Sequence, residues 1–158
     1  MKTIFSDDRI FRYALWREWD LLNFRYCVII GLNPSTADEN LDDPTIRRCI
    51  GFAKAWGYGA MCIGNLFAFR ATDPKQMMDA SDPVGPDNDH YLRTMCKDAG
   101  LVVVAWGNHG QHMDRARKVV QILRKPMSCF GLTKSGSPCH PLYLPKTAVL
   151  KPFTDRSV

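Results

Sequence analysis

The sequence predicts an α/β fold of three layers, α/β/α, built around a small and mainly parallel central sheet. Three observations lead there. Short apolar, β-branched runs recur at Tyr26–Leu32, Ala60–Leu66 and Leu101–Trp106. Segments with apolar residues at helical spacing separate them, which implies right-handed βαβ crossovers. The chain has 158 residues, a length that suits a single domain with one core.

The elements follow in order. Arg12–Trp19 mixes aromatic and charged residues and is expected to be a strand with Phe11, Tyr13 and Leu15 on one face. Tyr26–Leu32 is a buried strand ended by Gly-Leu-Asn-Pro, followed by a polar loop, Asn33–Asp43. Asp43-Pro44 has the form of an N-cap followed by proline at the first helical position. That helix is expected to run to about Trp56, with Ile46, Cys49, Ile50 and Ala53 inward and Gly57 as its stop. Ala60–Leu66 is a second buried strand, Pro74–Ala80 a short helical piece and Pro86–Ala99 a longer helix. Leu101–Trp106 is a third strand. Gln111–Arg124 is helical, with Met113, Ala116, Val119, Val120 and Leu123 in step. Met127–Leu132 is a short fourth strand, and Thr133–Phe153, rich in Pro, Gly and Ser, is expected to be an ordered loop.

Composition removes several classes. With 46% hydrophobic and 23% charged residues, the chain is neither disordered nor collagen-like. No apolar run approaches the roughly 20 residues of a bilayer span. The first twenty residues carry charges throughout, unlike a secretory signal, so a cytoplasmic location and no membrane partner are expected. The six cysteines, Cys27, Cys49, Cys62, Cys96, Cys129 and Cys139, are scattered in mostly apolar segments without CxxC spacing. Reduced thiols, no metal and no cofactor are expected. The 21 basic against 16 acidic residues leave a net charge of +5, compatible with a phosphate-bearing partner, nucleic acid or nucleotide.

In parallel sheets, ligands bind at the carboxyl ends of the strands. That rule selects four segments. Gly31-Leu32-Asn33-Pro34-Ser35-Thr36 holds an amide and two hydroxyls at the mouth of the first buried strand. An amide donates and accepts at once, and so can orient a water or read a ring edge. The plainer alternative is an Asn-Pro turn whose Ser and Thr bond their own backbone. Asn65 interrupts an apolar strand, either to face a ligand or to tie down a loop. Phe67 and Phe69 beside it offer stacking surface or core packing, and Arg70 closes the segment. Gly107, Asn108 and His109 follow the third strand. Lys134-Ser135-Gly136-Ser137 and His140-Pro141 follow the fourth, with small residues that allow close backbone approach. His90 and His112 fall on expected helices and are taken as solvated. Asp38, Asp42 and Asp43 precede Arg47 and Arg48, as acids at a helix N-terminus with pairing arginines, or as a phosphate or metal clamp. HExxH, P-loop, GxGxxG and GxSxG patterns do not occur, which removes support for those chemistries.

In order along the chain, these segments resemble the uracil-DNA glycosylase superfamily. GLNPS resembles its first motif, in the form with asparagine found in mismatch-specific uracil/thymine glycosylases. CIGNLFAFRATDP resembles the second-strand segment of the iron–sulfur-type members, where the asparagine contacts the base. LVVVAWG resembles their third strand, and Cys139-His140-Pro141 resembles the His-Pro motif that lies against DNA and the scissile bond. Asn33 stands where the most active uracil enzymes have aspartate, and the four cluster cysteines have no counterpart. More closely, Phe11 to Pro152 resembles a bacterial and phage family designated domain of unknown function 1643, through GLNPSTAD, DDPTIRR, NLFAFRATDP, DPVGP, AWGNHG and GSPCHPLYLP.

The resemblance implies a glycosylase-like pocket for a nucleobase, in DNA or in a free nucleotide. Asn33 would place water and Asn65 would read the base edge. Phe67 or Phe69 would stack, and His140 would supply charge near the leaving base. The expected reaction is hydrolysis of an N-glycosidic bond. The competing expectations are a non-catalytic binder of nucleotides or modified bases in the same pocket, and a structural module whose loops simply pack.

Overall fold

The computed structural model describes residues 2–154. Among these, seven strands and four α-helices occur in the order β1 (Ile4–Phe5), β2 (Arg12–Glu18), β3 (Tyr26–Gly31), α1 (Pro44–Ala55), β4 (Ala60–Asn65), α2 (Pro74–Asp79), α3 (Asn88–Lys97), β5 (Leu101–Val104), α4 (Arg115–Leu123), β6 (Met127–Cys129) and β7 (Lys151–Phe153). The fold is α/β, and one sheet runs β1-β2-β4-β3-β5-β6-β7.

The sheet is mixed rather than mainly parallel. β4, β3, β5 and β6 are parallel neighbours. The other three pairings, β1 with β2, β2 with β4 and β6 with β7, are antiparallel. The physical reason lies in the connections. The link from β2 to β3 spans only residues 19–25, too short to carry the chain back along a strand, whereas a parallel return needs a dozen or more residues. Hydropathy marks a strand as buried but says nothing about its direction.

β3 contributes Cys27, Val28, Ile29 and Ile30, all buried, as expected of a strand covered on both faces. Alternate residues of β3, β4 and β5 enter two apolar clusters. Val28, Ile30, Cys62, Val102 and Val104 meet Met77 of α2, Leu92 and Met95 of α3, and Val119 and Leu123 of α4. Cys27, Ile29, Met61, Ile63 and Val103 meet Ile46, Cys49, Phe52 and Ala53 of α1. Gly64 is small for a reason: a Cβ there would stand 2.7 Å from the Met95 sulfur and 2.9 Å from Leu92, so it sets how closely α3 packs on β4.

Several elements differ from expectation. Leu15 joins the α1-side cluster, whereas Tyr13 stacks on Phe11 and on Tyr91 of α3, so the three residues do not share one face. Only Leu15–Glu18 pair with β4, and the strand is irregular before them. α4 begins at Arg115 rather than Gln111, because Met113 and Asp114 adopt left-handed backbone (φ 56° each) at the end of a kinked 3-10 segment, Asn108–Asp114. β6 stops at Cys129. The expected C-terminal loop contains β7, which covers the outer edge of β6.

All six cysteines are free thiols, five of them buried. Among the described residues no helix is long and apolar enough to cross a membrane. No group of three His, Cys, Asp or Glu side chains among them is placed to hold a metal ion.

Candidate functional site

The strand order turns around at β3: the chain leaves it for β4 on one side and later returns to β5 on the other. The carboxyl ends of β3, β4 and β5 therefore diverge around a cavity of about 380 Å³. Gly31, Leu32, Asn33 and Ser35 line it after β3, Asn65 at the end of β4, and Gly107, Asn108 and His109 after β5. His140 closes it from the segment before a 3-10 turn, Pro141–Tyr143. Arg12 of β2 and Asp43, the N-cap of α1, complete the polar wall.

Asn65 sits deepest. It is 4% exposed, and its Oδ1 has no hydrogen-bond partner. Gly31 makes room for it: a Cβ on Gly31 would lie 3.1 Å from the Asn65 amide nitrogen. The backbone behind it is gripped. Asn88, wholly buried on α3, donates from Nδ2 to the carbonyls of Asn65 and Leu66, both at 3.0 Å. Arg115, buried on α4, donates from Nε to the Leu66 carbonyl at 2.8 Å and pairs with Asp89. An unpaired buried amide oxygen costs about 1–3 kcal/mol, a cost that a donor on a ligand would offset.

Asn33 is committed differently. Its Nδ2 donates to the Ala71 carbonyl at 2.8 Å and to the Pro34 carbonyl at 3.1 Å. A carbonyl only accepts, which fixes the amide orientation and leaves Oδ1 as the free acceptor. The alternative raised from the sequence, a residue that ties its own turn, therefore describes one half of this side chain.

His140 is half-buried, and its Nδ1 accepts from the Leu142 backbone N–H at 3.2 Å. The ring is therefore neutral, with its proton on Nε2. Burial pushes its pKa below the ordinary value, and Asp43 opposes that shift. His140 thus offers a neutral N–H rather than the charge expected of it. Asn108 accepts at Oδ1 from the Thr133 hydroxyl at 2.6 Å, which leaves its amide hydrogens free, and His109 is exposed at the rim. Gly107 turns the chain here with φ +71°, a conformation other residues rarely adopt.

Other expected residues lie elsewhere. Pro34 is buried and Thr36 exposed, and neither lines the cavity. Phe67 is wholly buried with its ring against His112, so it presents no stacking face. Strand alternation ends at Asn65, and both Leu66 and Phe67 enter the core on the α3 and α4 side. His112, expected to be solvated, is half-buried by that contact. Phe69 bridges Phe11 and packs edge-on against its ring. Arg70 lays its guanidinium over Phe5 and donates to the Arg9 carbonyl. Ser135, Gly136 and Ser137 line a separate cavity with Trp106, and Lys134 is exposed in the same turn. Asp42 is held by Arg17 at 2.8 Å, and Arg47 donates to the Asp42 carbonyl, so most of the acid–arginine cluster is structural. Arg12, Asn88 and Arg115 gave no sequence signal, because each is defined by partners distant along the chain.

The site has acceptors at Asn65 and Asn33, a neutral donor at His140 and a cation at Arg12. These groups can hydrogen-bond a ligand that carries both donors and acceptors. Nucleophilic chemistry has less support. Cys49 lines the wall, but burial raises its thiol to about 12. No hydrogen bond joins His140 to Ser35 or another hydroxyl among the described residues.

No curated protein and no solved structure matches this chain. Residues 12–142, from Arg12 of the cavity wall to the turn beyond His140, match the family described as protein of unknown function, DUF1643. That span holds every cavity residue named above, and the chain belongs to the DUF1643 family.

Proposed function

We propose that this protein recognises a nucleobase, in DNA or in a free nucleotide, and hydrolyses its N-glycosidic bond. The observation that carries the reading is Asn65: a buried side-chain amide with an unpaired oxygen, at the end of a central strand whose backbone Asn88 ties down. Two apolar clusters, one shared with α1 and the other with α2, α3 and α4, support a three-layer arrangement of the glycosylase type. The amide reads a ring edge by accepting from a ring N–H and donating to a ring carbonyl. Asn33 Oδ1 accepts from a water on the sugar's far face and aims its lone pair. As the bond from C1′ to the base nitrogen breaks, negative charge spreads over the base, and the Nε2–H of His140 stabilises it. The water oxygen bonds to C1′, and its proton passes to the base nitrogen. A base in duplex DNA must first be flipped out.

One observation favours a second reading, a non-catalytic binder. Among the described residues the one carboxylate on the wall, Asp43, has an oxygen occupied by the Ile46 backbone N–H, and Asn33 is no base. The test pairs a binding assay with a base-release assay, on free nucleotides and on DNA carrying modified bases. Asn65→Ala is expected to abolish binding. Asn33→Ala is expected to lower release while leaving affinity nearly intact, because placing water matters only as the bond breaks. Binding without release in wild type selects the binder. Neither binding nor release across the panel sinks the nucleobase reading.

A further inference from the structure

We infer that the ligand of this cavity carries an anionic group, a carboxylate or a phosphate, that docks on Arg12. The inference rests on the cavity being the ligand site of the nucleobase reading. Arg12 is 2% exposed and lines the cavity wall. Its Nη1 donates to the Ala37 carbonyl at 2.9 Å, and its Nε has no partner. No carboxylate pairs with it among the described residues. Asp43, on the same wall, acts on Arg12 only through space, and one of its oxygens caps α1 by accepting from the Ile46 N–H.

A buried cation with no carboxylate in direct contact is costly. Bracing one carbonyl does not require such a group, since a lysine or a neutral amide would suffice. A guanidinium instead brings five donors in a planar fork, the geometry that carboxylates and phosphates accept. Burial lowers its pKa only to about 10, with Arg70 and Arg17 acting in the same direction and Asp43 against, so the charge is present at neutral pH. Asn65 lines the same cavity with its unpaired oxygen. Together the two define a ligand with a hydrogen-bonding edge on one side and a negative charge on the other.

The test is calorimetric titration of the full chain with matched probes. One set compares the four common nucleosides with their 5′-monophosphates. The other compares uracil with orotate, and cytosine with 5-carboxycytosine. The anionic member of at least one set is expected to bind about tenfold tighter, and that set identifies the source of the charge. Arg12→Met is expected to abolish the preference while the neutral probe still binds. If that variant does not fold, Arg12→Lys keeps the charge but loses the fork, and is expected to lose a smaller share, about threefold. Neutral and anionic probes binding alike, or a preference that survives in Arg12→Met, overturns the inference and leaves the nucleobase reading standing. If no nucleoside or base binds, but phosphate or acetate raises the unfolding temperature in an Arg12-dependent way, the anion site stands and the nucleobase reading falls. No response to any probe overturns both.

Discussion

Asn33, just beyond β3, and Asn65, at the end of the neighbouring β4, carry the same side chain, yet they are used in different ways. The amide hydrogens of Asn33 are engaged by the Ala71 and Pro34 carbonyls. Asn33→Asp would replace that donor with an acceptor facing two carbonyl oxygens. The substitution is expected to cost about 1–3 kcal/mol of stability, read by chemical denaturation. An unchanged midpoint would show that the amide is not the tie between these loops. At His140 the consequence concerns pH. Burial holds its pKa below the ordinary 6.5, with Asp43 opposing, so the folded chain binds this proton more weakly than the unfolded chain. Its contribution to stability is complete above the unfolded value and is lost as pH falls through the lowered folded value. Protonation also withdraws the acceptor from the Leu142 N–H. Stability is therefore expected to fall on acidification below about pH 6.5, and to fall less steeply in His140→Gln. Parallel curves for wild type and variant would assign the acid sensitivity elsewhere.

At the scale of elements, α1 joins folding to the site. Asp43 Oδ1 accepts from the Ile46 N–H at 2.9 Å, and Pro44 follows at the first helical position. Asp43→Ala is expected to cost about 0.5–2 kcal/mol through loss of the cap, whereas Asp43→Asn keeps an acceptor and costs less. Equal losses in thermal or denaturant unfolding would mean that charge, not capping, is what Asp43 contributes. This helix was legible because its signals are local: an acid, a proline, an inward stripe and a terminal glycine. β3, β4 and β5 were legible for the same reason, being unbroken apolar runs. The direction of β2, the pairing of β7 and the late start of α4 were not. Each is decided by a partner strand or a strained turn that no short window contains. The site divides the same way. Asn33, Asn65, Asn108, His109 and His140 follow recognisable strands. Arg12 acquires its meaning only when β2 lies beside the loop after β3 and Ala37 meets its guanidinium. The stacking role given to Phe67 failed because strand parity stops at Asn65.

For the whole molecule, the nucleobase reading makes charge outside the cavity the feature that separates a free nucleotide from a base in DNA. The net charge of +5 is modest, so position matters more than total. α1 presents Ile46 and Cys49 to the cavity, while its Arg47 and Arg48 share an outer surface with Lys146, just beyond the turn that holds His140. Arg47 and Lys146 are exposed. On that reading, a strand whose base enters the cavity is expected to lay its backbone along this edge, where a free nucleotide has nothing to place. Binding of a single-stranded oligonucleotide should then weaken with salt, with the log–log slope reduced by about 0.7 for each phosphate contact removed. Arg47→Ala and Lys146→Ala are each expected to lower the slope by about that amount without changing affinity for a mononucleotide. A slope near zero in wild type, or one that neither substitution alters, would count against DNA within the nucleobase reading and leave this edge as ordinary solvated surface.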